Sequence, residues 1–266
     1  MLHPTTAAGR AGLAALRADP GHALVALDYD GTLAPIVPRP EDAVPADGAV
    51  DALAALARRV GRTALITGRP ADVVVQLAGL AHVHRLQVLG QYGVQRWQEG
   101  RLQQEPPVPG LAQARERLPA LASREGAAVE DKGLSLVLHT RRALDPGGAL
   151  ERLQPQVAAL AARTGLELHS GRLVLELRPP GHDKGRALAS LADGASAVLY
   201  AGDDVGDLAA FEAVEALRAQ GVPGLLVCSD SDEAPEQLRR RADLVVAGPP
   251  GVVRVLVELE AGLQAD

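Results

Sequence analysis

The segment ALVALDYDGTL, residues 23–33, sets an unbroken apolar run directly against two aspartates, and its reading decides the fold. Ala23–Leu27 reads as a buried strand. It ends in Asp28-Tyr29-Asp30-Gly31-Thr32, a turn that Gly31 permits. Side chains two apart on an extended segment point to one side, so both carboxylates can face one pocket. A nucleophile and a proton-transfer acid need that proximity. Asp and Gly also favour turns for purely local reasons, so an isolated motif of this kind reads equally as a solvated strand end.

Three further apolar runs end in the same way: Thr63–Ile66 before Thr67, Ala197–Tyr200 before Gly202, and Gly224–Val227 before Ser229. Helical patterns at Asp47–Arg59, Lys184–Leu191, Leu208–Arg218 and Pro250–Leu259 separate or follow them. Strands alternating with helices predict an α/β fold with a Rossmann-like parallel sheet covered on both faces. The polar clusters then fall at the carboxyl ends of the strands, where open α/β sheets bind ligands. Between these halves the pattern changes to helix (Leu111–Leu121), hairpin (Ala127–Asp131, Leu134–His139), helix (Gly148–Arg163) and hairpin (Leu166–His169, Arg172–Leu177). The first hairpin is expected to turn near Lys132-Gly133 and the second at Ser170-Gly171. Residues 1–104 and 182–266 are therefore expected to form the core domain, with 105–181 as a smaller α+β domain leaving through Pro179-Pro180-Gly181.

The acids recur in Gly202-Asp203-Asp204-Val205-Gly206-Asp207, after a strand and at a helix start. Three acids so close repel one another unless a cation or a helix N-terminus compensates. With Asp28 and Asp30 they make an oxygen-rich site suited to Mg²⁺; alone, they would serve as helix caps. Thr67-Gly68-Arg69 ends a strand and opens a helix, where a hydroxyl and free N–H groups can hold a phosphate, although Thr67 is equally a plain N-cap. Lys184 can supply a balancing point charge. Only two lysines occur, Lys132 and Lys184, and asparagine is absent. Arginine carries the remaining cationic charge, so a retained ammonium marks a position that needs its geometry.

The net charge of −6 argues against a nucleic-acid partner. Cys228 is the single cysteine, which excludes an internal disulfide and a thiolate zinc cluster; it reads as a small buried hydrophobe. Residues 1–17 carry no signal-peptide pattern and no stretch long enough to span a bilayer, so a cytoplasmic setting is expected. His139, His169 and His182 show no metal-ligand spacing, and Asp230, Asp232 and Glu233 read as a helix-capping loop.

DYDGTLAPI (28–36), LITGR (65–69), VEDKGLSLVLHTR (129–141), LELRPPGHDKGRAL (175–188) and GDDVGD (202–207) together resemble the trehalose-phosphatase family of the haloacid dehalogenase superfamily. In that resemblance the insert corresponds to a C2-type cap. Two departures stand out: Gly90-Gln91-Tyr92-Gly93 replaces a GxHG-like segment, and Gly206 stands where the family has Thr.

The resemblance implies hydrolysis of trehalose 6-phosphate to trehalose and phosphate. Asp28 would become an aspartyl phosphate, and Asp30 would act as proton-transfer acid and base. Mg²⁺ would be held by the Asp28 carboxylate, the Asp30 main-chain carbonyl and Asp203, with Asp204 and Asp207 in support. Thr67, Gly68, Arg69 and Lys184 would bind the phosphoryl group, while Glu130, Lys132 and Glu176, with Arg141, would read the sugar. A functional link to a trehalose-6-phosphate synthase follows, with no membrane partner. A phosphatase of another sugar phosphate, such as sucrose 6-phosphate, and a catalytically silent sugar-phosphate sensor are the alternatives.

Overall fold

The computed structural model describes residues 2–231 and 234–263, which leaves Asp232 and Glu233 of the expected capping loop outside the described residues. The chain divides into two compact units, one built up to Gln104 and again from Asp183, the other from Glu105 to His182.

In chain order the first unit begins with α1 (Ala7–Ala18), β1 (Leu24–Leu27), α2 (Ala49–Ala57), β2 (Arg62–Ile66), α3 (Ala71–Leu77), β3 (Leu86–Gly90), β4 (Gln95–Gln98) and β5 (Arg101–Gln104). The second unit contributes α4 (Pro109–Arg124), β6 (Ala128–Asp131), β7 (Leu136–His139), α5 (Pro146–Thr164), β8 (Glu167–Gly171) and β9 (Val174–Arg178). The first unit resumes with α6 (Lys184–Leu191), β10 (Val198–Gly202), α7 (Leu208–Ala219), β11 (Gly224–Asp230), α8 (Glu236–Arg241), β12 (Leu244–Ala247) and α9 (Gly248–Leu263).

The first unit's sheet runs β12-β11-β10-β1-β2-β3-β4-β5. Its strands are parallel from β12 to β3, and β4 and β5 complete it as an antiparallel edge. Alternation along each strand feeds two separate cores. Val25, Leu27, Leu65, Leu199 and Leu225 pack on one face with Leu16, Leu53, Val74 and Leu256 from α1, α2, α3 and α9. Leu24, Ala26, Ile66, Tyr200 and Leu226 pack on the other with Leu188, Phe211 and Leu238 from α6, α7 and α8. Both faces are covered, which is why the central strand β1 is apolar throughout.

The second unit has an antiparallel sheet, β6-β7-β9-β8. Leu136, Leu138, Leu175 and Leu177 form its core with Leu111 and Leu118 of α4 and Leu153, Val157 and Leu160 of α5. The second hairpin does not turn at Ser170-Gly171. The register that buries Leu175 and Leu177 carries both residues into the ladder, opposite Leu175 and Val174, so the chain reverses at Arg172-Leu173 with Leu173 at φ 60°.

Candidate active site

The strand order of the first unit places β1 between β10 and β2, with Leu27 opposite both Ala201 and Leu65. This is a topological switch point, and the residues just beyond these three strands are Asp28, Asp203 and Thr67. Lys184 joins them from the first turn of α6, whose N-cap Asp183 accepts the Arg186 N–H.

Asp28, Asp203, Asp207 and Lys184 are all buried. The Lys184 ammonium lies 3.0 Å from Oδ2 of Asp28, 2.8 Å from Oδ1 of Asp207 and 3.4 Å from Oδ1 of Asp204. Three acids thus contact one cation, with Asp203 buried beside them. Burial, reinforced by the neighbouring acids, pushes the Asp28 carboxyl well above its usual range despite Lys184. The same causes push Asp203 up to about 8. Burial alone would discharge Lys184, but Asp204, Asp207 and Asp28 outweigh it and hold the ammonium charged.

One carboxylate oxygen each from Asp28, Asp203 and Asp207 lies within 4.8 Å of the others. All-oxygen, acidic and short of positive charge, this set fits a hard divalent cation. The roles within it differ. Oδ1 of Asp207 accepts from Lys184 and, at 2.6 Å, from the Tyr200 hydroxyl; Oδ2 accepts the N–H groups of Asp203 at 2.9 Å and Asp204 at 3.0 Å. Asp207 therefore pins the loop that carries Asp203, and Asp28 and Asp203 are the carboxylates with capacity for a cation. The helix-capping reading of this segment is also realised, because Asp204 and Asp207 form a capping box.

Asp30 departs from the cluster. Its carboxylate is gripped by Arg69, with Nε 2.7 Å from Oδ2 and Nη2 2.7 Å from Oδ1. Thr67 is buried, and its hydroxyl accepts the Arg69 N–H at 3.1 Å. It is not the N-cap of α3, which starts at Ala71 with Pro70 before it and without a side-chain cap. Gly68 lies against Tyr92: a Cβ there would sit 2.6 Å from the phenol oxygen. Tyr92, at the histidine position of the family segment, thereby lines the same strand end.

Several supporting residues escaped the sequence reading. Tyr200 was legible only as a strand residue, yet its hydroxyl anchors Asp207. Ser229 donates to the Gly31 carbonyl at 2.6 Å and holds the first motif from the end of β11. Only their positions at strand ends beside the motifs could have flagged them.

In the second unit, Glu130, Val137, Glu176 and His169 form one row across β6, β7, β9 and β8. Glu176 is buried, accepts from the Ser135 hydroxyl at 3.0 Å and lies 3.5 Å from the Lys132 ammonium. Glu130 pairs with His139 at 2.9 Å, and Arg141 is exposed in the turn that follows β7. The row lies on the sheet face opposite the leucine core, so Glu130, Glu176 and His169 share one surface. Burial and Arg178, which donates to Nδ1 of His169 at 2.8 Å, lower the pKa of this histidine. His182 pairs with Glu105.

The fold is shared with a haloacid dehalogenase-like hydrolase from Bacteroides thetaiotaomicron (TM-score 0.66, 16% identity, covering 90% of this chain and 99% of that one). It is also shared with the C-terminal domain of Candida albicans trehalose-6-phosphate phosphatase (TM-score 0.77, 19% identity, 98% of each chain). These likenesses show a shared fold, a parallel-sheet α/β unit joined to a smaller α+β unit. The sequence profile described as trehalose-phosphatase matches residues 26–245, and the chain belongs to that family. Among curated proteins, it is similar to an uncharacterized glycosyl hydrolase of Mycobacterium tuberculosis, 37% identical over 206 residues. That match covers 71% of this chain and only 15% of the relative. The trehalose-6-phosphate phosphatase of Escherichia coli is 30% identical over 203 residues, 73% of this chain and 74% of the relative.

Proposed function

We propose that the protein is a Mg²⁺-dependent phosphomonoester hydrolase that converts trehalose 6-phosphate and water to trehalose and phosphate. The observation that carries this reading is the meeting of Asp28, Asp203 and Lys184 at the switch point of a sheet in a member of this family.

The carboxylates of Asp28 and Asp203 and the main-chain carbonyl of Asp30 would hold Mg²⁺, which would supply positive charge that favours ionised Asp28 and offsets the charge of the phosphate. Asp28 forms a bond to phosphorus as the bond to the sugar oxygen breaks, and Asp30 gives that oxygen its proton. Asp30 then takes a proton from the water that attacks phosphorus, which frees inorganic phosphate and restores Asp28. Thr67, the Gly68 N–H and Lys184 hold the phosphoryl oxygens, whose shared charge calls for donors fixed in advance. Asp204 and Asp207 keep Lys184 and the Asp203 loop in place.

Glu130, Lys132 and Glu176, with Arg141, read the sugar. Carboxylates accept and ammonium donates, which suits a disaccharide rich in hydroxyls. A substrate lacking one of those hydroxyls would leave these groups unpaired, and this penalty gives selectivity. No helix among the described residues is long and apolar enough to cross a membrane. We place the reaction in the cytoplasm, functionally linked to a trehalose-6-phosphate synthase.

The test is phosphate release by the purified protein with Mg²⁺ from trehalose 6-phosphate, glucose 6-phosphate, sucrose 6-phosphate and an aryl phosphate, beside Asp28→Asn. Preference for trehalose 6-phosphate, lost in the variant, supports the reading. Preference for another sugar ester overturns the substrate, and no release from any ester overturns the activity.

A further inference from the structure

We propose that Arg69 is a positioning residue for Asp30, not a binding residue for the substrate phosphate; this rests on reading Asp30 as the proton-transfer acid. The guanidinium is committed on three sides. Nε and Nη2 form two parallel hydrogen bonds to the two oxygens of Asp30, each 2.7 Å. Nη1 donates to the Pro40 carbonyl at 2.8 Å. The guanidinium carbon stands 5.8 Å from the ring centroid of Tyr29, which is fully buried and tied through its hydroxyl to the Ala43 carbonyl at 2.6 Å.

A fork of this kind fixes the plane of a carboxylate as well as its position, which a single ammonium cannot do. Binding a phosphate through the same edge would require Arg69 to release Asp30. Asp30 itself follows the strand end on a turn and is half-buried, and among the described residues Arg69 is the side chain that holds both of its carboxylate oxygens. Proton transfer depends on the donor oxygen being held at hydrogen-bond distance and aimed at its target. Arg69 therefore acts through Asp30, on the step in which the sugar oxygen leaves.

Leaving-group dependence separates the two roles. In a two-step mechanism kcat/KM covers binding through departure of the leaving group. A sugar alkoxide needs a proton to depart, whereas para-nitrophenolate does not, and both esters carry the same phosphate. Expected is that Arg69→Met loses at least about tenfold more kcat/KM on trehalose 6-phosphate than on para-nitrophenyl phosphate, within the range of general acid catalysis. Asp30→Asn shows the same bias, and the double variant is no worse than Asp30→Asn alone. Equal losses on the two esters, or additive losses in the double variant, assign Arg69 to the phosphate and overturn the proposal.

Arg69→Lys keeps the stem and charge without the fork, so it retains the selective loss. Full recovery in that variant overturns the orienting role. Thermal unfolding checks each protein, and Arg69→Lys carries the comparison if Arg69→Met does not fold. Failure of the wild-type enzyme on every alkyl phosphate would instead overturn the function proposed above. If the wild type cleaves a different sugar phosphate, that ester replaces trehalose 6-phosphate in the same comparison.

Discussion

The hydroxyl of Tyr200 and the ammonium of Lys184 share one acceptor, Oδ1 of Asp207, at 2.6 and 2.8 Å. Removing the hydroxyl leaves Lys184 as the side-chain donor to this oxygen and loosens that end of Asp207, whose Oδ2 stays bound to the N–H groups of Asp203 and Asp204. Tyr200→Phe preserves ring volume and the edge-to-face contact with Phe211. It is expected to cost about 1.5–3 kcal/mol, the range for a hydrogen bond to a charged group. Urea unfolding measures the loss. Turnover should fall with it while KM changes little, since Lys184 loses its fixed aim without losing its charge. Unchanged kcat would separate Tyr200 from the site.

Asp203 connects the cluster to pH. In the metal-free protein burial, then Asp207 and Asp204, push its carboxyl up to about 8 from an ordinary value of 3.8. The folded chain keeps a proton there that the unfolded chain has already lost. The resulting stabilisation is present at low pH and disappears as pH rises towards about 8. Asn has no such dependence. In a chelator, Asp203→Asn should therefore gain stability relative to wild type steadily between about pH 5 and pH 8, a window set by that shift. Parallel urea midpoints across this range would contradict the assignment, and added Mg²⁺ should narrow the difference by stabilising only the wild type.

The distribution of apolar runs made much of this architecture legible. Each of the four runs read as strands became a strand of the parallel sheet, because fully covered strands need no polar alternation. β4 escaped because Gln95, Arg96 and Gln98 interrupt its apolar signal, and β5 because it is an exposed edge strand with one leucine. The motif acids were legible as two clusters, but their division of labour was not. Spacing alone does not reveal that Arg69 takes up Asp30 or that Asp207 spends its oxygens on Lys184, Tyr200 and two backbone amides. Those partners lie on other strands and helices, so their pairing emerges only when the chain folds.

Glu176 carries the sharpest test of sugar reading. It is buried at the centre of the second unit's polar surface and holds both Ser135 and Lys132. Glu176→Gln keeps the shape and removes the charge and one acceptor. It should raise KM for trehalose 6-phosphate about tenfold or more, as expected for an unpaired buried hydroxyl contact, and affect para-nitrophenyl phosphate far less. Steady-state kinetics on the two esters measure the contrast. An equal loss on both would remove Glu176 from sugar recognition.

Gly31 is required twice over. Its φ is +71°, and a Cβ there would fall 1.9 Å from Oδ2 of Asp203, so alanine must displace the carboxylate that the first motif packs against. Gly79 offers the matched control, with φ +63° and no atom within 4 Å of a Cβ. Both substitutions to alanine carry the left-handed backbone penalty, about 1–2 kcal/mol. Only Gly31→Ala also moves Asp203 away from Asp28. The Mg²⁺ concentration giving half-maximal turnover should therefore rise at least about tenfold, or about 1.4 kcal/mol, in Gly31→Ala and stay near wild type in Gly79→Ala, although both proteins melt earlier. A metal requirement that shifts equally in both variants would mean backbone strain alone sets it, and the contact between Gly31 and Asp203 would have no part in holding the cation.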